Sequence, residues 1–112
     1  MTPFLDYVNA APAQAQMRLL DILAYVADRF PSAEQRIYHK LPSFFVDGHD
    51  VLNVGAYSDH IGLHVGYGMA DDLKCKYPDY TYTKSTIQFP YSQPIPIDIL
   101  EDICTKIASR LG

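Results

Sequence analysis

The sequence predicts an α+β domain, an antiparallel β-sheet with N- and C-terminal helices packed on one face. An amphipathic stripe near the start, a four-residue apolar repeat near the end, and a run of strand and turn signals between them carry that prediction.

In chain order, Thr2 to Ala10 reads as a short helix with Phe4, Leu5 and Val8 as its apolar contacts. Ala13 to Phe30 places Leu19, Leu23, Val26 and Phe30 on the stripe of a helix that faces a core, opened by Pro12 and closed by Pro31. Ser43 to Val46 and Val51 to Tyr57 are rich in aromatic and β-branched residues, and Asp47-Gly48-His49-Asp50 between them reads as a hairpin turn. Ile61, Leu63 and Val65 then alternate with His60, Gly62 and His64, a strand with one apolar face. Met69 to Lys76 reads as a short helix with Leu73 inward, and Tyr80-Thr81-Tyr82 and Thr86 to Phe89 as late strands that stop at Pro90. Pro96 suits a first helical turn, Asp98 sits at the positive helix pole, and Ile99, Ile103, Ile107 and Leu111 form the apolar stripe of a last helix. With no repeat, linker or low-complexity stretch, residues 1–112 read as a single domain.

The 48% hydrophobic content supports a core and argues against disorder. Nine basic against thirteen acidic residues leave a charge of -4, which disfavours nucleic acid and anionic membrane as partners, because both reward clustered cations. The longest apolar run, Ile22 to Ala27, is far short of the ~20 residues a membrane span needs. The first residues lack a basic start before an apolar stretch, so a cytoplasmic location is expected. Cys75 and Cys104 fit neither a disulfide scaffold nor a zinc site and read as reduced thiols.

Three segments stand out together: Arg36-Ile37-Tyr38 with Leu41-Pro42-Ser43-Phe44, then Ala56-Tyr57-Ser58-Asp59-His60-Ile61-Gly62-Leu63, and last Lys84-Ser85-Thr86-Ile87-Gln88-Phe89-Pro90 with Pro94-Ile95-Pro96. In order and spacing they resemble the YdhG-like family of small bacterial domains. The first is similar to the family's element leading into its first strand, the second to its strand pair joined by a short turn, and the third to its late strand and the start of its last helix. Leu41 stands where methionine is usual, Ser85 where glycine is usual, and His64 where an aromatic residue is usual. The resemblance implies a frataxin-like architecture and, by the proposal made for some members, an iron carrier serving iron–sulfur cluster or haem assembly proteins.

Read from the residues themselves, that role has few ligands to draw on. The long first helix offers Asp21 and Asp28, roughly 10 Å apart and too far to share one ion, with Arg18 one turn from Asp21 to compete for it. Asp47, His49, Asp50 and Asp59 are the metal candidates, since mixed oxygen and nitrogen donors suit iron. Their placement at opposite ends of one hairpin makes them two clusters, and turn residues of these types also serve backbone hydrogen bonding. His60 and His64 lie on one strand face about 13 Å apart, too far to share a metal. The intervening Gly62 leaves space above the sheet, and His60, Tyr38, Tyr57, His64 and Lys84 are the candidates for walls of a small-ligand pocket there. The competing reading of His60 is a hydrogen-bonded structural residue. No nucleophile sits in a catalytic motif, so no enzyme is expected; Cys75 between Lys74 and Lys76 is the one thiol with activating neighbours. Tyr77, Tyr80 and Tyr82 among lysines read first as packing and otherwise as a protein-contact surface. The expected function is a non-catalytic binding domain, with a pocket on the His60 face or a purely protein-interacting role as alternatives.

Overall fold

In the computed structural model, which describes residues 2–111, a turn of 3-10 helix (Thr2–Phe4) runs into α1 (Leu5–Ala10), and α2 (Ala13–Arg29) follows Pro12. Phe4 and Val8 are buried, but Leu5 is exposed, contrary to the sequence reading. Consecutive helical residues are turned by about 100° from one another, so a helix this short cannot bring Phe4 and Leu5 to the same side. Along α2 the stripe of Leu19, Leu23 and Val26 is buried together with Ala15 and Ile22.

The strands are β1 (Glu34–Tyr38), β2 (Leu41–Val46), β3 (His49–Ala56), β4 (His60–His64), β5 (Thr81–Tyr82) and β6 (Thr86–Pro90). Helix α3 (Tyr67–Lys76) lies between β4 and β5, and α4 (Ile97–Leu111) ends the described chain. The strands form one antiparallel sheet in the order β1-β2-β3-β4-β6-β5. Residues 36–38, read as leading into the first strand, are themselves part of edge strand β1. The β1–β2 turn is made by His39 and Lys40, both at positive φ (50° and 68°). The next turn is Asp47-Gly48, with φ of 52° and 82°, the pairing a two-residue hairpin of the right twist demands. That tight turn draws His49 and Asp50 out of the loop and into β3.

The register explains the two faces. Phe44 lies opposite Leu52, Val54 opposite Leu63, Ile61 opposite Phe89 and Leu63 opposite Ile87, and all of these are buried. They form one core with the inward stripes of α2, α3 and α4, including Leu73, Ile99, Ile103 and Ile107. Leu111, the expected last member of the α4 stripe, is exposed at the helix end. On the other face the same ladders align Ser43, Asn53, His64 and Thr86 in one row and Gly55, Gly62 and Gln88 in the next. No helix among the described residues is long and apolar enough to cross a membrane.

Candidate functional site

Gly55 and Gly62 are direct cross-strand partners, so the polar face of the sheet has a trough without side chains between β3 and β4. Tyr57, the residue after β3, folds back over that trough. A Cβ on Gly55 would stand 2.8 Å from the Tyr57 hydroxyl oxygen, and one on Gly62 would stand 3.3 Å from the ring. The space expected above Gly62 is therefore taken by an aromatic ring, an arrangement in which the aromatic side chain replaces the packing that the glycines lack.

The ring is held by its backbone and its neighbours. The Tyr57 N–H donates to the His60 carbonyl (2.9 Å), the Tyr57 carbonyl accepts from the Tyr91 hydroxyl (2.7 Å), and the Ala56 N–H donates to the Tyr7 hydroxyl oxygen (2.9 Å). Arg18 fixes Tyr91 in turn, donating to its carbonyl (2.7 Å) and lying over its ring. The His60 ring stacks on Tyr57 with centroids 4.9 Å apart, and its Nδ1 lies 2.7 Å from Asp59 Oδ1. A carboxylate can only accept, so Nδ1 donates and Nε2 is left as the acceptor of a neutral ring.

Beside this aromatic wall runs a groove of about 400 Å³ over the β4–β6 pair. Gly62, Thr86 and Gln88 form its floor, and Tyr57, His60, His64, Thr83 and Ser85 its sides. The Thr86 hydroxyl lies 3.3 Å from His64 Nδ1. Burial lowers the pKa of His64, which favours the uncharged ring. The side-chain polar groups of Thr83, Ser85 and Gln88 bond to no protein group among the described residues, and no carboxylate lines the groove.

Of the residues singled out from the sequence, the groove brings together Tyr57, His60 and His64. Tyr38 does not belong to it: it sits on edge strand β1, against the rings of His39 and Phe45. Lys84 is exposed in the β5–β6 turn and does not line it either. Thr86 and Gln88 were missed because the β4–β6 pairing that supplies them is non-local, although their alternation with Ile87 and Phe89 marks them as sharing a face. Ser85 takes no positive φ, so the exchange of glycine for serine leaves the turn unstrained.

The metal candidates are spread further than the sequence reading allowed. His49 and Asp50 are consecutive strand residues and face opposite sides of the sheet. Asp47 borders a hollow beside Phe30, Asp50 borders one beside His64, and Asp59 lies at the other end of β3, engaged with His60. Among the described residues no group of three or more His, Cys, Asp or Glu side chains is arranged to hold a metal ion. Arg18 turns to Gln14 and Tyr91. Cys75 is exposed, whereas Cys104 is buried and its thiol pKa is pushed up to about 11 by desolvation. In the tyrosine-rich stretch, the Tyr77 hydroxyl donates to Asp102, and the Tyr82 hydroxyl donates to the Tyr77 carbonyl (2.7 Å), so both serve packing.

This arrangement of six strands and flanking helices superimposes on the crystal structure of YdhG, a DUF1801-family protein of Bacillus subtilis, with a TM-score of 0.86 over 94% of this chain and 87% of that one. The chain has the YdhG fold. The two sequences are 18% identical, so the likeness speaks for the fold and leaves activity open. An uncharacterised conserved protein of COG5646 from Lactobacillus casei is also similar, with a TM-score of 0.62 and 14% identity over 95% of this chain and 89% of that one. No family model and no curated protein matches the sequence. Within the YdhG fold the three resembling segments are β1 with β2, the β3–β4 hairpin, and β6 with the lead into α4. The middle segment carries Tyr57 and His60, and the last carries Thr86 and Gln88, so two of the three meet at the groove.

Proposed function

We propose that this chain is a non-catalytic binding domain that receives a small polar ring compound, neutral or anionic, on the polar face of its sheet. The observation that carries the reading is the groove itself. A fixed Tyr57–His60 wall offers a stacking surface, and unpartnered side-chain groups at Thr83, Ser85 and Gln88 offer hydrogen bonds. Without a lining carboxylate the groove has nothing to neutralise a cation.

The test is an NMR titration of single-ring heteroaromatic amides and carboxylates into labelled protein. Binders are expected to shift the resonances of Gly62, His64, Thr86 and Gln88, and His60→Ala is expected to weaken them on the order of tenfold, the worth of one hydrogen bond or stack. Shifts confined to other surfaces, or affinities unchanged in His60→Ala, would overturn the reading.

An iron-carrier role toward iron–sulfur assembly proteins draws its support from the family resemblance alone, because the donors it needs are divided between two turns and strand β3 and form no group of three among the described residues. An anaerobic ferrous titration that broadens Asp47, Asp50 and Asp59 together would favour it over the groove.

A further inference from the structure

We propose that a second groove, between α2 and the start of α4, docks an amphipathic helix of a partner protein. That helix would carry Lys or Arg seven positions apart on either side of an apolar anchor. Asp21, Ile22, Tyr25 and Asp28 form one stripe along α2, and Ile95, Ile97 and Leu100 face it across about 460 Å³. Ile22 and Leu100 make a buried apolar floor, Tyr25 and Ile95 are half-buried walls, and Ile97 stands 57% exposed on the lip. Such a hollow with an isoleucine at its edge has the composition of a contact surface, and a half-buried tyrosine is a favoured anchor in one. The Tyr25 hydroxyl makes no hydrogen bond among the described residues, so it remains able to take one from a partner.

Charge selects the partner. Asp21 and Asp28 are exposed at the rim and make no ion pair or hydrogen bond among the described residues. Arg18, the cation of this groove, is committed to the carbonyls of Gln14 (2.8 Å) and Tyr91 (2.7 Å). The free charges are therefore two carboxylates, two helical turns or about 10 Å apart. A helix with basic residues at i and i+7 matches that pitch, and it directs the side chains at i+3 and i+4 into the apolar floor between them. A second copy of this chain fits poorly, because a symmetric contact on this face would set Asp21 and Asp28 against the same two carboxylates. The surface lies on the helical layer, apart from the groove on the sheet, and the proposal does not rest on the reading of that groove.

The probe is a synthetic helical peptide with Lys at i and i+7 and Leu at i+3 and i+4, compared with its Glu counterpart, titrated at low salt into labelled protein. The Lys peptide is expected to shift the resonances of residues 21–28 and 94–100 and to weaken as salt rises. The double charge reversal Asp21→Lys with Asp28→Lys, at two exposed positions, is expected to weaken the Lys peptide on the order of tenfold and to create binding of the Glu peptide. Three results would overturn the proposal. The Lys peptide could leave those resonances unmoved, wild type could bind both peptides equally, or the protein alone could shift them with concentration, which would assign the groove to a second copy.

Discussion

Replacing Gly55 by alanine separates the sheet from the aromatic ring that covers it. The new Cβ would stand 2.8 Å from the Tyr57 oxygen and 2.9 Å from its Cε2, closer than a methyl group tolerates. Yet those atoms are the outer end of a side chain already 42% exposed, so the ring swings away and the backbone stays. Two terms of opposite sign result. Gly55 has no positive φ, so alanine restricts the unfolded chain and stabilises by about 0.4–1 kcal/mol. Loss of the Tyr57–His60 stack costs about 0.5–1.5 kcal/mol. Gly55→Ala alone therefore falls within about 1 kcal/mol of wild type, whereas in a Tyr57→Ala background it stabilises by about 0.4–1 kcal/mol. The assay is a double-mutant cycle by urea unfolding, with the ring-current shift at His60 reporting where the Tyr57 ring sits. A coupling of about 1 kcal/mol is expected, and effects that add to within about 0.3 kcal/mol would refute the reasoning. So would a loss above about 3 kcal/mol in Gly55→Ala, which would mean that the sheet itself had moved.

Acid should act on the tie between α3 and α4. Asp102 accepts hydrogen bonds from Lys76 (2.7 Å) and Tyr77, which hold its carboxyl below the ordinary carboxylate range. Stability from a lowered carboxyl is fully present above the unfolded value of about 3.9 and is lost as pH falls through the lower folded value. Melting temperatures of wild type and Asp102→Asn, followed between about pH 2 and 6, should therefore converge at the acid end, and parallel curves would count against the tie. A thiol reagent applied to the native protein near pH 8 should titrate Cys75 alone, because Cys104 is buried with its pKa pushed up to about 11, and urea should release the second thiol. Equal reaction rates at both cysteines in the folded state would contradict the buried placement.

The helices and the inner sheet face were legible because burial on one side imposes a period. Leu19, Leu23 and Val26 show it on α2, and Ile61 and Leu63 on β4. Strand β1 was not legible for the converse reason. Four of its five residues are exposed, so no alternation marks it, and it turns into β2 through His39 and Lys40 at positive φ, which their side chains do not announce. The groove was legible only in part. Tyr57, His60 and His64 are close in the chain, but the strand carrying Thr86 and Gln88 is joined to β4 by a pairing across α3 and β5. The folding of Tyr57 over Gly55 and Gly62 required knowing that the two glycines are direct partners, a matter of register.

One side chain joins the two surfaces and decides which variants can tell them apart. Arg18 lines the α2 groove, yet its guanidinium holds the Tyr91 carbonyl and covers the Tyr91 ring, and the Tyr91 hydroxyl holds the Tyr57 carbonyl behind the aromatic wall. Its Nε is buried without a hydrogen-bond partner among the described residues, a cost that only the firm seating of the rest of the guanidinium offsets. Truncating Arg18 would loosen both surfaces at once, and a loss of binding at either would then carry no information about where the ligand sits. Asp21 and Asp28 touch only the helical groove and His60 only the sheet groove, so charge reversal at the first pair and truncation at the second perturb one surface while the other serves as its control.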